Sequence, residues 1–358
     1  MQNKFFFFFT IAVGLLINAC KTDFSVNGDF KEVPVVHFLL DPGQEYHFMK
    51  INKTFLGDGN ANTFASIPDS SYFNLVEARV EKYNKQTETV EEVWELKDTV
   101  IDNKNPGVFY YPEQKLYYFR ESNLDNDEKY LYRLYCEVDN GEHIITGETE
   151  LVREISINSP NPTTSIRFAN PPGSDDLYLN QGIRCDKGTG HIFNAKLLFE
   201  YRDIKTEGNE NHIVTYNLGD LRRSDFAGAS INFTARGERF YQLVRDNVPL
   251  DEDIIRREIV SFEIIITAGS EDLFTYMLVN QPTNSIAQNK PEFTNIGGGM
   301  GIFSSRLTLR QFKPVFTPPT IRAFSNFSTH ELCLGTITGN LGFCSHISMD
   351  QNANYSCN

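Results

Sequence analysis

The sequence predicts a mainly β protein: an N-terminal antiparallel sandwich over residues 33–154, a second β-rich domain with two short helices over 160–312, and a Cys-containing, loop-rich tail over 313–358. Three observations predict it. Apolar residues recur with period two along several stretches beyond Val33, as in strands with one wet face. Turn chemistry at Asp41-Pro42-Gly43 and Asn140-Gly141 joins such stretches at hairpin spacing. The run Ser159-Pro160-Asn161-Pro162-Thr163-Thr164 then interrupts the pattern, because prolines two apart cannot donate to a ladder. With 358 residues the chain is long enough for about two domains at ~150 residues each.

The first element is a leader. Lys4 precedes an apolar run from Phe5 to Ile17, shorter than the ~20 residues a spanning helix needs, so residues 1–19 read as a signal peptide. Its end, Leu16-Ile17-Asn18-Ala19-Cys20, resembles a bacterial lipobox, with Asn18 departing from the usual small or aliphatic residue. The resemblance implies lipid attachment at Cys20, palmitate-type acyl chains and membrane lipid as a partner; the alternative is an ordinary signal peptide with an incidental cysteine. Residues 20–32 are polar and read as a tether. Lys21 and Asp23, so close behind the cysteine, resemble the surface-export signals of Bacteroidota lipoproteins.

In the first domain, Val35 to Leu40 and Tyr46 to Ile51 form a hairpin about the Asp41-Pro42-Gly43 turn. Val76, Ala78 and Val80 alternate with charged neighbours. Tyr130, Tyr132, Leu134, Cys136 and Val138 mark one face of a later strand, and Asn140-Gly141 returns the chain through His143 to Thr149. This chain order resembles immunoglobulin-like or fibronectin-type modules, a likeness of architecture that implies no activity. The runs Val108 to Pro112 and Leu116 to Phe119 are expected to be mostly core; exposed, they would form a platform for sugars or peptides.

In the second domain, strands are expected at Ile192 to Tyr201, His212 to Leu218 and Val260 to Thr267. Helical spacing of Phe240, Leu243 and Val244 predicts a helix over Gly237 to Asn247. A Ser270 cap, with Glu271 and Asp272 in the first turn, predicts another to Asn280, whose stripe of Leu273, Phe274, Met277 and Leu278 is expected to be core. After Cys20, five cysteines remain. Cys333, Cys344 and Cys357 are the disulfide candidates, with Cys333–Cys344 favoured; Cys136 reads as a small core hydrophobe.

Charge and motifs exclude several function classes. Thirty-three Lys and Arg against 47 Asp and Glu give a net charge of −14, which repels a phosphate backbone, so no nucleic-acid partner is expected. No G-x-S-x-G elbow, P-loop, C-x-x-C or H-E-x-x-H occurs; no catalytic residue, metal site or cofactor is expected. Gly297-Gly298-Gly299-Met300-Gly301 superficially suggests a dinucleotide loop, but Ile302-Phe303 behind it reads as strand, so the glycines fit a tight turn or bulge. Asp58-Gly59-Asn60 and Asp125 to Glu128 do not match a calcium loop.

Two groups of motifs carry a wider resemblance. One is Ser270-Glu271-Asp272-Leu273-Phe274-Thr275-Tyr276, then Asn280-Gln281-Pro282, Asn295-Ile296-Gly297-Gly298-Gly299 and Gly301-Ile302-Phe303. The other is Pro34-Val35-Val36, Lys50 to Gly57 and Ile67-Pro68-Asp69-Ser70. Together they look like a family of uncharacterised Bacteroidota outer-membrane lipoproteins over most of residues 33–312. The resemblance implies a lipid-anchored protein on the cell surface or periplasmic face, often associated with TonB-dependent transporters, and supplies no catalytic residues. The expected function is a non-enzymatic binding or accessory module for a small ligand, glycan or peptide, with an outer-membrane transporter as candidate partner. The alternatives are a structural envelope or adhesion component, or a hydrolase with its site at the domain junction near Ser159 to Arg167.

Overall fold

A computed structural model describes residues 32–55, 60–281, 292–314 and 322–357. Cys20 and nearly all of the expected tether lie outside the described residues, as does Asp58.

The chain is mainly β with several antiparallel sheets, as the period-two pattern predicts. The first hairpin is β1 (Pro34–Leu40) and β2 (Tyr46–Lys53), paired antiparallel with Phe38 opposite Met49. Then come β3 (Val76–Asn84), β4 (Thr89–Glu95), β5 (Lys97–Asp102), β6 (Glu113–Arg120), β7 (Tyr130–Val138) and β8 (His143–Thr149). In β7 the five residues marked as an apolar face are all buried, and Asn140 and Gly141 take the positive φ that their turn requires. Strands β3, β4, β7 and β8 form one sheet and β1, β2, β5 and β6 lie in the other; Phe38, Met49, Ile51, Val80, Tyr132 and Leu134 share the core between them.

The second half holds β9 (Ile157–Ser159), β10 (Asn180–Asp186), β11 (Ile192–Lys205), β12 (Gly208–Arg222), β13 (Ser230–Arg236) and β14 (Ile254–Gly269). After these come β15 (Ile296–Gly297), β16 (Met300–Pro314) and β17 (Phe343–Cys344). The helices are α1 (Ala61–Ala65), α2 (Pro68–Ser71), α3 (Gly237–Asn247), α4 (Glu271–Asn280) and α5 (Asn326–Leu334). The second core gathers Phe199, Phe262, Phe233, Phe240, Phe168 and Phe324.

Strand β16 belongs to both halves. Met300 to Ser305 pair in parallel with β1, and from Arg306 onward the same strand pairs antiparallel with β14, giving one nine-stranded sheet. β15 adds to the first half by pairing with β8. Segment 33–154 is therefore not a complete sandwich in the structure: residues 296–305 finish both of its sheets, which a single cut near Ser159 does not capture. At the point where β16 changes partner, the buried Asp41 carboxylate accepts from the Thr308 amide at 3.0 Å, the Thr308 hydroxyl at 2.7 Å and Arg306 Nε at 3.0 Å. Gly301, at φ +107, sits against Val36 so closely that a Cβ would lie 1.9 Å from its carbonyl oxygen, and at Gly298 one would lie 2.0 Å from that of Ile144. The glycine run thus serves close backbone approach, as its turn-or-bulge reading expects.

Three sequence expectations are corrected. The 313–358 tail is not a loop-rich appendix: Phe324, Leu332, Cys333, Leu341 and Phe343 are buried in the second core, and Ser328 Oγ accepts from the Phe168 and Ala169 amides at 2.8 and 3.1 Å. The disulfide joins Cys344 to Cys357, not Cys333 to Cys344. Cys357 donates its amide to the Ser345 carbonyl at 2.8 Å, which brings the end of the chain beside β17, whereas Cys333 lies on the buried side of α5. Helix α4 is capped by Ser270 as expected, yet none of its residues is buried, and Met277 and Leu278 are 39% and 43% exposed. Helical spacing identifies a stripe but not whether anything covers it.

Asp41→Ala strands the Thr308 amide and Arg306 and is expected to cost about 3 kcal/mol. Because β16 runs through both halves, denaturant unfolding should show one transition for the two, shifted as a unit. Two separated transitions, with only the first half weakened, would contradict the shared-strand account.

Candidate functional site: a lysine and aromatic pocket on the outer sheet face

β2 carries large side chains on both faces. His47, Met49 and Ile51 point into the core, which leaves Tyr46, Phe48, Lys50 and Asn52 on the outer face. β1 contributes Val35 and His37 to that face, and the register sets His37 directly across from Lys50. Next to Lys50 the face is walled by α1, α2 and the loop between β5 and β6. Asn60 caps α1 by accepting from the Asn62 amide, and Pro68 opens α2 with its fixed φ. The loop is held in place by a Tyr110 amide bond to the Ala65 carbonyl at 2.9 Å and by Lys104 Nζ donating to the Tyr110 carbonyl at 2.6 Å. Asn52 Nδ2 donates to the Ser71 carbonyl at 3.0 Å.

These pieces enclose a cavity of about 620 Å³, lined by His37, Lys50, Lys53, Lys104 and the rings of Phe55, Tyr72, Phe109 and Tyr110, among others. Among the described residues no carboxylate lines it; just outside, Glu113 accepts from Tyr110 Oη at 3.1 Å and Glu32 lies 3.4 Å from Lys53. Burial, and then the like charge of Lys50, pull both the His37 imidazole and the Lys104 ammonium below their ordinary pKa values. His37 also meets Tyr276 Oη of α4 at 2.9 Å, so a residue of the second half closes one flank.

The aromatic segments divide. In Leu116 to Phe119, Leu116, Tyr117 and Phe119 are core, as expected. Val108, Phe109 and Tyr111 are 53%, 57% and 46% exposed, which corrects the core expectation for the first run and makes it wall. Beyond the pocket on the same face, Tyr46, Phe48 and Tyr118 form a surface cluster with ring centroids 5.8–6.3 Å apart. The signal available in the sequence was Tyr46 and Phe48 on the non-core parity of β2; Lys50, Lys53 and Lys104 carried no spacing that foretold their convergence.

A second cavity, of about 310 Å³, sits where the two halves meet and is lined by Glu150, Arg153, His191, Glu271 and Asp272, among others. The Ser159 to Arg167 segment lines neither of these cavities. Part of that segment is instead held by Lys313, whose buried ammonium donates to the Asn161 and Thr164 carbonyls at 2.5 and 2.8 Å. At the junction, Glu150 bonds Lys85 at 2.7 Å and Arg153 at 3.3 Å. Although burial works to raise its pKa, these cations hold it below the usual carboxylate range, so Glu150 is a fixed anion rather than a proton donor. Among the described residues no cluster of three or more His, Cys, Asp or Glu suits a metal, and no helix is long and apolar enough to cross a membrane.

No protein-family profile matches the chain, and no curated protein does. Among solved structures it is similar to the C-terminal globular domain of an oligosaccharyltransferase from Pyrococcus abyssi, at 13% identity and a TM-score of 0.17, over 59% of this chain and 42% of that one. The chain thus spans about two fifths of that structure's length, and at this TM-score the likeness carries no argument about function.

Two measurements check these electrostatics. Lys50→Gln removes a cation facing His37, so the imidazole pKa followed by NMR should rise toward ~6.5; an unchanged or lower value would contradict the pocket geometry. The lowered Glu150 pKa makes its contribution to stability complete above the unfolded value of ~4.3 and lost as pH falls through the folded value. Glu150→Gln should therefore cost about 1 kcal/mol or less at pH 7 and nothing once both forms are protonated; a gap that persists at pH 2 would rule this out.

Proposed function

We propose that this protein is a Bacteroidota-type outer-membrane lipoprotein that acts by holding a ligand, with no bond-breaking step, and that it works beside a TonB-dependent transporter. The single observation that carries the reading is the pocket on the outer face of the first sandwich: three lysines and several rings converge there with no carboxylate in its lining among the described residues. Such concave, mostly apolar sites with a few convergent polar groups are where small molecules bind. Anchoring rests on the Leu16 to Cys20 sequence. One acyl chain gives marginal membrane attachment, at ~0.8 kcal/mol per buried CH₂, and two or more give a stable one.

Mass spectrometry of the protein extracted from cells should find an acylated Cys20 at the mature N-terminus, with Cys20→Ser releasing the chain from the membrane fraction. A photo-crosslinker placed at Tyr46, beside the pocket, should join the protein to an outer-membrane transporter in whole cells. A bare Cys20 thiol would overturn the anchoring, and recovery of lipid alone would count against the transporter.

A further inference from the structure

We infer that the outer face of the β1–β2–β6 sheet is a single binding track for an acidic saccharide, its carboxylate taken by Lys50 and Lys104 in the pocket and its neighbouring rings laid across Tyr46, Phe48 and Tyr118. This rests on the binding reading above and names the class of ligand.

Charge fixes the first half of the assignment. Lys50, Lys53, Lys104 and His37 converge on one cavity whose lining, among the described residues, holds no carboxylate, so bringing the lysines together has a cost that an anion would offset. Lys53 is partly answered by Glu32 at 3.4 Å, and Lys104 by the Tyr110 carbonyl; neutral or peptide-carbonyl partners leave net positive charge. Three ammonium groups on flexible stems suit a carboxylate approached from several directions, rather than the planar fork that arginine would offer.

Shape fixes the second half. A cavity of about 620 Å³ is far larger than an inorganic anion fills, and its walls include the rings of Tyr72, Phe109 and Tyr110. The wall continues outward. Phe48 lies two residues from Lys50 on the same face of β2, roughly 7 Å away along the strand. Its ring stacks with Tyr46 at 6.3 Å and an interplanar angle of 20°, and lies 5.8 Å from Tyr118. Exposed rings in this arrangement offer flat apolar faces to the C–H faces of pyranose rings while the sugar hydroxyls stay in water. At the far end Arg120 lies 5.8 Å from the Tyr46 ring but is paired with Glu45 at 2.6 Å, so the charge that would draw an anion is that of the pocket lysines. A ligand with a carboxylate at the pocket end and sugar rings beyond it matches the track; an aliphatic anion would leave the ring cluster unused.

The test is calorimetric titration of the full-length, detergent-solubilised lipoprotein with oligomers of galacturonate, glucuronate and mannuronate, against neutral oligomers of the corresponding hexoses. At least one uronate series should bind, at least tenfold more tightly than its neutral counterpart, and the preference should shrink with added salt. Lys50→Gln and Lys104→Gln should each weaken uronate binding about tenfold. Phe48→Ala should weaken a tetramer while leaving a monomer's affinity unchanged, a split that general unfolding would not give; thermal melts of each variant confirm the fold. Equal affinity for neutral and acidic oligomers, or binding untouched by the lysine changes, would overturn the acidic class while leaving a binding module in place. No binding of any uronate would overturn this inference alone, since acylation and transporter crosslinking judge the broader reading separately.

Discussion

One strand carries two cores. β16 lies beside β1 as far as Ser305 and beside β14 from Arg306, and the exchange is held by Asp41, whose carboxylate reaches the backbone and side chain of Thr308 together with Arg306. Buried Ser305 adds a bond of 2.7 Å to the Glu150 carbonyl and accepts from the Val152 amide, while Ser304 bonds Ser270 at 2.6 Å. The connection out of β8, the cap of α4 and the β1–β2 turn therefore all meet on five consecutive residues of one strand. A ladder that continues through the junction leaves no soft hinge there, because bending it would break buried backbone hydrogen bonds that water could not replace.

That rigidity positions the outer face. α4 is anchored through Ser270 to the stretch of β16 that pairs with β1, so its Tyr276 arrives at His37 in a fixed relation to Lys50. The other flank is local, since α1, α2 and the β5–β6 loop lean on one another through the Tyr110–Ala65 bond. The pocket is thus built from one side by a long-range constraint and from the other by short ones. A sheet supplies its floor, which favours a preorganised site over one that must close around its ligand.

Much of the fold was legible because its signal is local. β7 announced itself through five alternating apolar residues, the β7–β8 turn through Asn140-Gly141, and α4 through its serine cap. The shared strand was not legible, because Phe38 and Phe303 are neighbours across 265 residues of sequence and nothing in period two says which strand lies alongside. The disulfide was missed for a related reason: 11 and 13 residues are both ordinary separations, and only the pairing of Ser345 with the end of the chain selects Cys357. For the site, sequence showed the rings of Val108 to Tyr111 but not their direction. An apolar run between strands can be core or wall, and the Tyr110–Ala65 and Lys104–Tyr110 bonds decide it.

The net charge of −14 and a cationic pocket pull an anion in opposite directions, and distance decides between them. At ~0.15 M salt the Debye length is ~8 Å, so exposed acids spread over the surface are largely screened at the pocket floor. A unit pair about 4 Å apart at an effective dielectric near 20 is worth ~4 kcal/mol, and partly enclosed groups are screened least. Lys50 and Lys104 act at that shorter range, and the opposition they already impose on each other and on His37 is relieved when a carboxylate enters. The global acidity then acts on approach, slowing the encounter of anions that cannot reach the lysines, while the pocket governs what stays. An acidic surface around a basic, ring-walled cleft therefore selects for an anion with a shape that fits, not for negative charge in general.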